Sequence, residues 1–207
     1  MTPQQFYGQY YDRIKDTKKQ FLKEVYDYRD YHNQLAKIDD PEIQQTGIQY
    51  ITSRIKTPES TMEKLSRQGY AITLDSAMTE IYDVIGIRIV CALLSDVYNV
   101  QKWIKTLDNI EIVREKDYIA NPKKNGYRSL HYQIKIKNGE NAGMHMEVQV
   151  RTLVMDFWAT LEHKMKYKKK IKNQSLVEFE LKRCADEANL LDKYMQELTQ
   201  FIEEEKE

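Results

Sequence analysis

The chain has 207 residues, 32 of them basic and 32 acidic, and no net formal charge. That length buries one good core without promising a second domain, and the even charge removes any electrostatic case for general adsorption to nucleic acid or to a membrane. Cys91 and Cys184 form no Cys-x-x-Cys pair, and Met1 to Gln5 opens no apolar segment of signal or transmembrane length, so the composition reads as a reduced cytoplasmic protein.

From Gln4 to about Lys37, residues such as Phe6, Tyr10, Ile14, Phe21, Val25 and Tyr28 recur at three- and four-residue steps. This spacing predicts an amphipathic amino-terminal helix within residues 1–40. Pro41 after Asp40 predicts a second helix to near Thr52, and Pro58 to Arg67, closed by Gly69, a third; Arg54 and Lys56 fall in the loop between them. Val84 to Leu94, dense in β-branched residues, predicts a buried strand carrying Arg88 as its one charge. Val97 to Leu107 is helical in spacing. Ile110 to Tyr118, Ser129 to Lys137 and Met144 to Arg151 read as strands, the last two paired as an antiparallel hairpin across the turn-rich stretch 138–143. Helices return at Val154 to Lys168 and at Leu176 to Glu205. The order predicts one α/β (α+β) domain over residues 1–207, with a mixed central sheet flanked by helices at 50–168 and a carboxy-terminal helical extension at 174–207.

Two acids stand beside apolar runs, Asp83 before Val84 to Val90 and Glu147 within Met146 to Val150, and both are expected on strands. Between them lies Lys123-Lys124-Asn125-Gly126-Tyr127-Arg128-Ser129-Leu130-His131. Carboxylates can hold a hard divalent cation, cations can neutralise phosphate, and a tyrosine offers a flat face to a base, so this combination suggests a site for magnesium (Mg2+) and nucleotide. No Gly-x-x-x-x-Gly-Lys-Ser/Thr and no Gly-x-Gly-x-x-Gly element occurs, so side chains must hold the phosphates. Arg54 and Lys56 alternate onto one face of an extended segment, with Lys64 following on a helix. His32, His131, His145 and His163 have no metal-ligand spacing, and His131, as a histidine ending a strand, reads as a hydrogen-bonded residue rather than an acid or base. Gln149 and Arg151 share the face of Glu147 by the period of a strand, which leaves Arg151 either to orient Glu147 or to touch phosphate. The bland alternatives are a turn-capping Asp83, a Glu147 paired with Arg151 or a lysine, and a packed hairpin Tyr127. The basic run His163 to Lys172 reads as a solvated face, with nucleotide attraction or a contact with RNA as the alternatives.

Taken in order, Arg54-x-Lys56 with Ser60 and Lys64, Asp83-Val84-Ile85-Gly86-Ile87-Arg88, Asn125-Gly126-Tyr127-Arg128-Ser129-Leu130-His131 and Glu147-Val148-Gln149-Val150-Arg151-Thr152 resemble the successive signatures of the RelA/SpoT-type alarmone synthetases. Met155 to Lys164 further resembles the single-domain members, the small alarmone synthetases. The resemblance implies a nucleotidyltransferase-like fold that transfers the β,γ-pyrophosphate of ATP to the 3′-hydroxyl of GDP or GTP, yielding ppGpp or pppGpp, with no hydrolase activity in this chain. It implies that Asp83 and Glu147 are catalytic and hold magnesium, with Glu147 able to take the hydroxyl proton. Arg54 and Arg88 would sandwich the adenine, and Lys56 and Lys64 would contact its phosphates. Tyr127, taken as an exposed ring, would stack on guanine, with Lys123, Asn125, His131, Gln149 and Arg151 around the acceptor. A nucleotide- or RNA-binding module without turnover, or a generic nucleotidyltransferase, are the competing classes; the carboxylate pair favours the enzyme, and the missing Asp-x-Asp signature disfavours the third. Both terminal helices carry more aromatic and apolar surface than a small sheet can cover, which predicts self-association, and the resemblance specifies a homotetramer.

Overall fold

A computed structural model describes residues 2–35, 47–166 and 173–205 of the chain. At the amino terminus, α1 (Pro3–Tyr7) passes through a 3₁₀ turn at Gly8–Tyr10 into α2 (Tyr11–Leu35). One helix was expected here; Gly8, at φ +49°, takes a backbone conformation that breaks it. The expected helix from Pro41 to Thr52 is corrected where it is described. Residues 48–55 form β1 (Ile48–Ile55), which carries Arg54 on a strand rather than a loop, while 41–46 lie outside the described residues.

Next, α3 (Pro58–Gln68) follows the sequence reading closely: the Thr57 hydroxyl caps its start by accepting from the Ser60 N–H, and Gly69 ends it in the left-handed region. The short α4 (Leu74–Glu80), capped by Thr73, was not foreseen. It shifts Asp83 off the expected strand and into the turn ahead of β2 (Ile85–Cys91). Then come α5 (Leu94–Thr106), β3 (Ile110–Asp117), β4 (Leu130–Ile136), β5 (His145–Thr152), α6 (Leu153–Lys166) and α7 (Gln174–Glu204). His131 therefore begins a strand rather than ending one. The basic run continues past α6 into 167–172, outside the described residues.

The sheet order is β1-β2-β5-β4-β3; β2 and β5 run parallel and every other neighbouring pair is antiparallel. The expected β4–β5 hairpin is present, with Gln133 opposite Glu147. Alternation divides β5 cleanly: Met146, Val148 and Val150 are buried, and Glu147 and Gln149 occupy the other face. The buried set joins one core with Ile87 and Ile89 of β2, Val97, Val100 and Ile104 of α5, and Ile14, Phe21 and Val25 of α2. The amino-terminal aromatics thus largely pack within the chain: Tyr7 and Phe21 are buried, and Tyr28 stacks on Trp103 at 4.5 Å. This corrects the expectation that this helix leaves a large apolar surface uncovered. No described helix is long and apolar enough to cross a membrane.

Helix α7 buries its small side and shows its large one. Leu181, Ala185 and Asp192 face inward, whereas Phe179, Leu190, Leu191, Leu198 and Phe201 are about half exposed. Four hydrogen bonds fasten it. The Trp158 indole N–H donates to the Leu181 carbonyl at 2.8 Å, Arg128 donates to the Ala185 carbonyl at 3.1 Å, the Thr152 hydroxyl donates to Asp192 at 2.8 Å, and the Ser95 N–H donates to Gln196 at 2.9 Å. Against this helix rests the turn 123–127, where Gly126 has φ +88° and a Cβ would lie 2.4 Å from the Ala185 Cβ.

Two expectations follow. Gly126→Ala meets both a strained backbone and a clash, so it should lose about 2 kcal/mol or more of stability in thermal or denaturant unfolding. Adding Ala185→Gly should recover the steric share and leave the backbone share. At Asp192, burial raises the carboxyl pKa from 3.8 to about 6, against the opposing bond from Thr152 and the charge of Arg128. Between these two values the folded chain binds more protons than the unfolded one, so this group makes stability fall as pH rises from about 4 to about 6, by up to about 3 kcal/mol. Asp192→Asn keeps an acceptor for Thr152 and should lose that slope, melting higher than wild type above pH 6; thermal midpoints measured across pH 4–8 check this.

Candidate active site

The polar face of the β2–β5 pair forms the floor. Parallel register sets Gly86 beside Glu147, Arg88 beside Gln149 and Val90 beside Arg151, and β1 adds Arg54 opposite Gly86. Arg54 lies across Gly86, where a Cβ would meet the Arg54 Cγ at an ordinary contact distance of 3.5 Å. A cavity of about 310 Å³ opens above this floor, lined by Arg54, Asp83, Arg88, Glu147 and Gln149 among others. A second, of about 360 Å³, shares Arg54, Arg88 and Gln149 as its wall and extends to Tyr127, Arg151 and Lys164 of α6.

Asp83 is gripped from two elements. Lys56, just after β1, reaches one carboxylate oxygen at 2.8 Å, and Lys64 of α3 reaches the other at 2.9 Å. Burial pulls the Asp83 pKa upward, but the two ammonium groups outweigh it and hold the carboxyl below its ordinary value. Asp83 is therefore ionised at neutral pH.

Glu147 is held differently. Gln149 donates to it at 2.8 Å, and Nδ1 of His131 lies 3.5 Å away. Burial again works upward, and the bonds from His131 and Gln149 prevail, so its pKa is lowered. The His131 pKa is itself lowered, chiefly by burial and further by Arg151 and Lys123, against the pull of Glu147. The imidazole is therefore neutral at neutral pH. One donor order satisfies the group: Nδ1–H faces Glu147, Nε2 accepts from the Tyr127 hydroxyl at 2.7 Å, and that hydroxyl accepts from Arg151 at 2.9 Å. Burial raises the Tyr127 pKa against the charge of Arg151, so it stays a phenol.

The Tyr127 ring is half-buried rather than exposed as expected, because its hydroxyl is drawn into this chain of bonds. Its surroundings are aromatic and cationic: Tyr118 stands edge-on at 6.0 Å, and the Lys123 ammonium sits 4.6 Å from the Tyr118 ring centre and 4.7 Å from that of Tyr127. Asn125 points elsewhere. Its amide donates to Glu162 of α6 at 3.0 Å, and its oxygen accepts from the Tyr127 N–H, so it shapes the turn.

The structure thus gathers Arg54, Asp83, Arg88, Glu147 and Gln149 around one cavity, places Lys56 and Lys64 on Asp83, and sets Tyr127 and Arg151 in the second. The pairing of Glu147 with Arg151, one of the bland alternatives, is not made; Arg151 instead donates to Gln149, Tyr127 and Asp156. Sequence reasoning missed Tyr118, Tyr50 and Asp156. Asp156 accepts from Arg88 at 3.0 Å, from Arg151 at 3.1 Å and from the Tyr50 hydroxyl at 2.7 Å. In the sequence it stands within the Met155 to Lys164 segment without a role of its own, an acid in the first turn of a helix, a common position that says nothing of its partners.

Residues 53–172 match the region found in RelA / SpoT proteins, which is more than half of the chain. The chain is 39% identical over 183 residues to the GTP pyrophosphokinase YwaC of Bacillus subtilis, an alignment covering 87% of this chain and 81% of that one. It is 31% identical to GTP pyrophosphokinase YjbM of the same organism over 96% of this chain and 87% of the relative. Its fold superposes on the small alarmone synthetase 1 of Bacillus subtilis bound to its product pppGpp with a TM-score of 0.77 and 27% identity, covering 92% of this chain and 94% of that one. With its motifs gathered around one face of the sheet and most of its length matched by GTP pyrophosphokinases, the chain belongs to the RelA/SpoT family and, within it, to the small alarmone synthetases.

Proposed function

We propose that the chain is a GTP pyrophosphokinase that moves the β,γ-pyrophosphate of ATP to the 3′-hydroxyl of GDP or GTP. The observation that carries this reading is the cavity in which two ionised carboxylates, Asp83 and Glu147, face a wall of two arginines, Arg54 and Arg88. Guanidinium planes can lie over the faces of an adenine, and the ammonium groups of Lys56 and Lys64 can turn from Asp83 toward phosphate oxygens. Tyr127, with Lys123 beside it, offers the guanine a face already oriented by His131 and Arg151. Glu147 is the carboxylate placed to receive the hydroxyl proton, because its own partners are the neutral Gln149 and His131 rather than a lysine or arginine.

The donor set also fits magnesium. Among the described residues no group of three or more acids, histidines or cysteines could enclose a metal, and magnesium characteristically takes one or two protein carboxylates together with substrate phosphates and water. Asp83 and Glu147 would hold it, and it would supply counter-charge to the migrating pyrophosphate. The unpaired Cys91 and Cys184 accord with a cytoplasmic setting.

The half-exposed ridge of α7, Phe179, Leu190, Leu191, Leu198 and Phe201, supports self-association, with a homotetramer as the assembly.

Three measurements test these readings. Incubation with labelled ATP, magnesium and GDP or GTP should yield AMP and a pyrophosphorylated guanosine nucleotide, and chelation should stop it. Asp83→Asn and Glu147→Gln should each lower kcat by about 10²- to 10³-fold or more, with thermal midpoints near wild type. Absence of product, or a near-normal rate in either variant, would sink the assignment. Light scattering coupled to size exclusion should give a tetrameric mass that falls with Leu198→Glu; a monomer at micromolar concentration refutes association, and a dimer refutes the tetramer alone.

A further inference from the structure

Asp156 is a buried acid at the start of α6, and three side chains from three strands converge on it. One of its carboxylate oxygens accepts from both Arg88 of β2 and Arg151 of β5, and the other accepts from the hydroxyl of Tyr50 on β1. The Tyr50 pKa is pushed up to about 12, first by burial and then by this bond, so the phenol keeps its proton and remains a donor. Beyond Asp156, Arg151 continues to Gln149 and to Tyr127, Gln149 ends on Glu147, and Tyr127 reaches Glu147 through His131. Arg88 forms part of the wall between the two cavities, and among the described residues its ion-pair partner is Asp156.

We infer that Asp156 is a positioning residue that locks the donor-side Arg88 to the acceptor-side pair Arg151 and Tyr127, so that the two nucleotide sites are set as one unit. The inference rests on the reading of Arg54 and Arg88 as the donor wall. Physically, a carboxylate shared by two guanidinium groups fixes both planes relative to each other, and a buried cation that loses its partner turns toward whatever acceptor remains. The remaining acceptor for Arg88 is solvent at the cavity mouth. For Arg151 the remaining acceptors are the Tyr127 hydroxyl and Gln149, and a stronger pull on Gln149 would draw that amide away from Glu147.

Steady-state kinetics in both substrates test this. Asp156→Asn keeps the shape and one acceptor oxygen but removes the charge; it should raise the KM for ATP about tenfold and lower kcat by a similar factor. Arg88→Ala should raise the KM for ATP as well, and the double variant should raise it no further than Arg88→Ala alone, because Asp156 acts on ATP through Arg88. Tyr50→Phe, a milder change that keeps both arginine pairs, should move the KM for ATP in the same direction by a few-fold and serves in the cycle where Asp156→Asn folds poorly. Wild-type kinetics in both Asp156→Asn and Tyr50→Phe, or losses that add in full in the double variant, would overturn the inference while leaving the donor assignment intact. An unchanged KM for ATP in Arg88→Ala would overturn the donor assignment itself, and the inference with it.

Discussion

The parallel pairing of β2 with β5 is the constraint from which the site follows. It is the one parallel junction in an otherwise antiparallel sheet, and its register places Gly86, Arg88, Glu147 and Gln149 as a block of four on one face. A slip of a single residue in either strand would send half of that block into the core and bring isoleucine or valine to the surface. The apolar alternation of Ile85, Ile87 and Ile89 with Met146, Val148 and Val150 forbids the slip. Hydrophobic burial on one side of the sheet therefore fixes the spacing of charges on the other.

Charge balance then differentiates three acids that the sequence cannot tell apart. Asp83 is neutralised by two lysines, Asp156 by two arginines, and Glu147 by neutral groups only. The first two each accept from two cations. Glu147 keeps the most uncompensated negative charge of the three, and burial of His131 as a neutral imidazole preserves it. Without that burial, a protonated histidine would cancel the charge on which the proposed proton transfer depends.

Much of this was legible in the residues, and what was not has identifiable causes. The strands β2 to β5 declared themselves through β-branched runs and period-two alternation. β1 did not, because Ile48, Ile51 and Ile55 are spaced by three and four, the signature of a helix, and an edge strand half open to solvent has no need of strict alternation. The short α4 offers too few apolar positions to show a period. The motif residues Asp83, Arg88 and Glu147 could be picked out because they punctuate apolar runs, and Tyr127 because it stands among cations beside Gly126. Asp156 could not, since its partners come from positions 50, 88 and 151, which only the folded sheet makes neighbours. Nor can a crowd of aromatics in a helix reveal its cover: Tyr7 and Phe21 went to the core of the same chain, whereas Phe179 and Phe201 stayed outside.

The seat of α7 gives the molecule a mechanical property. The helix touches the 123–127 turn at Ala185 and is pinned again at Asp192 by Thr152. Seven residues of helix separate these points, roughly 10 Å, and nine more, roughly 14 Å, lead on to Phe201. With the pin as fulcrum and the helix as a stiff rod, the two arms differ by a ratio of about 1.3. A displacement of the outer arm, which Ser95 holds at Gln196, would reach the turn that carries Tyr127 reversed in direction and reduced in size. Whatever rests on the far end of the rod is geared to the wall of the second cavity more than 20 Å away along the helix.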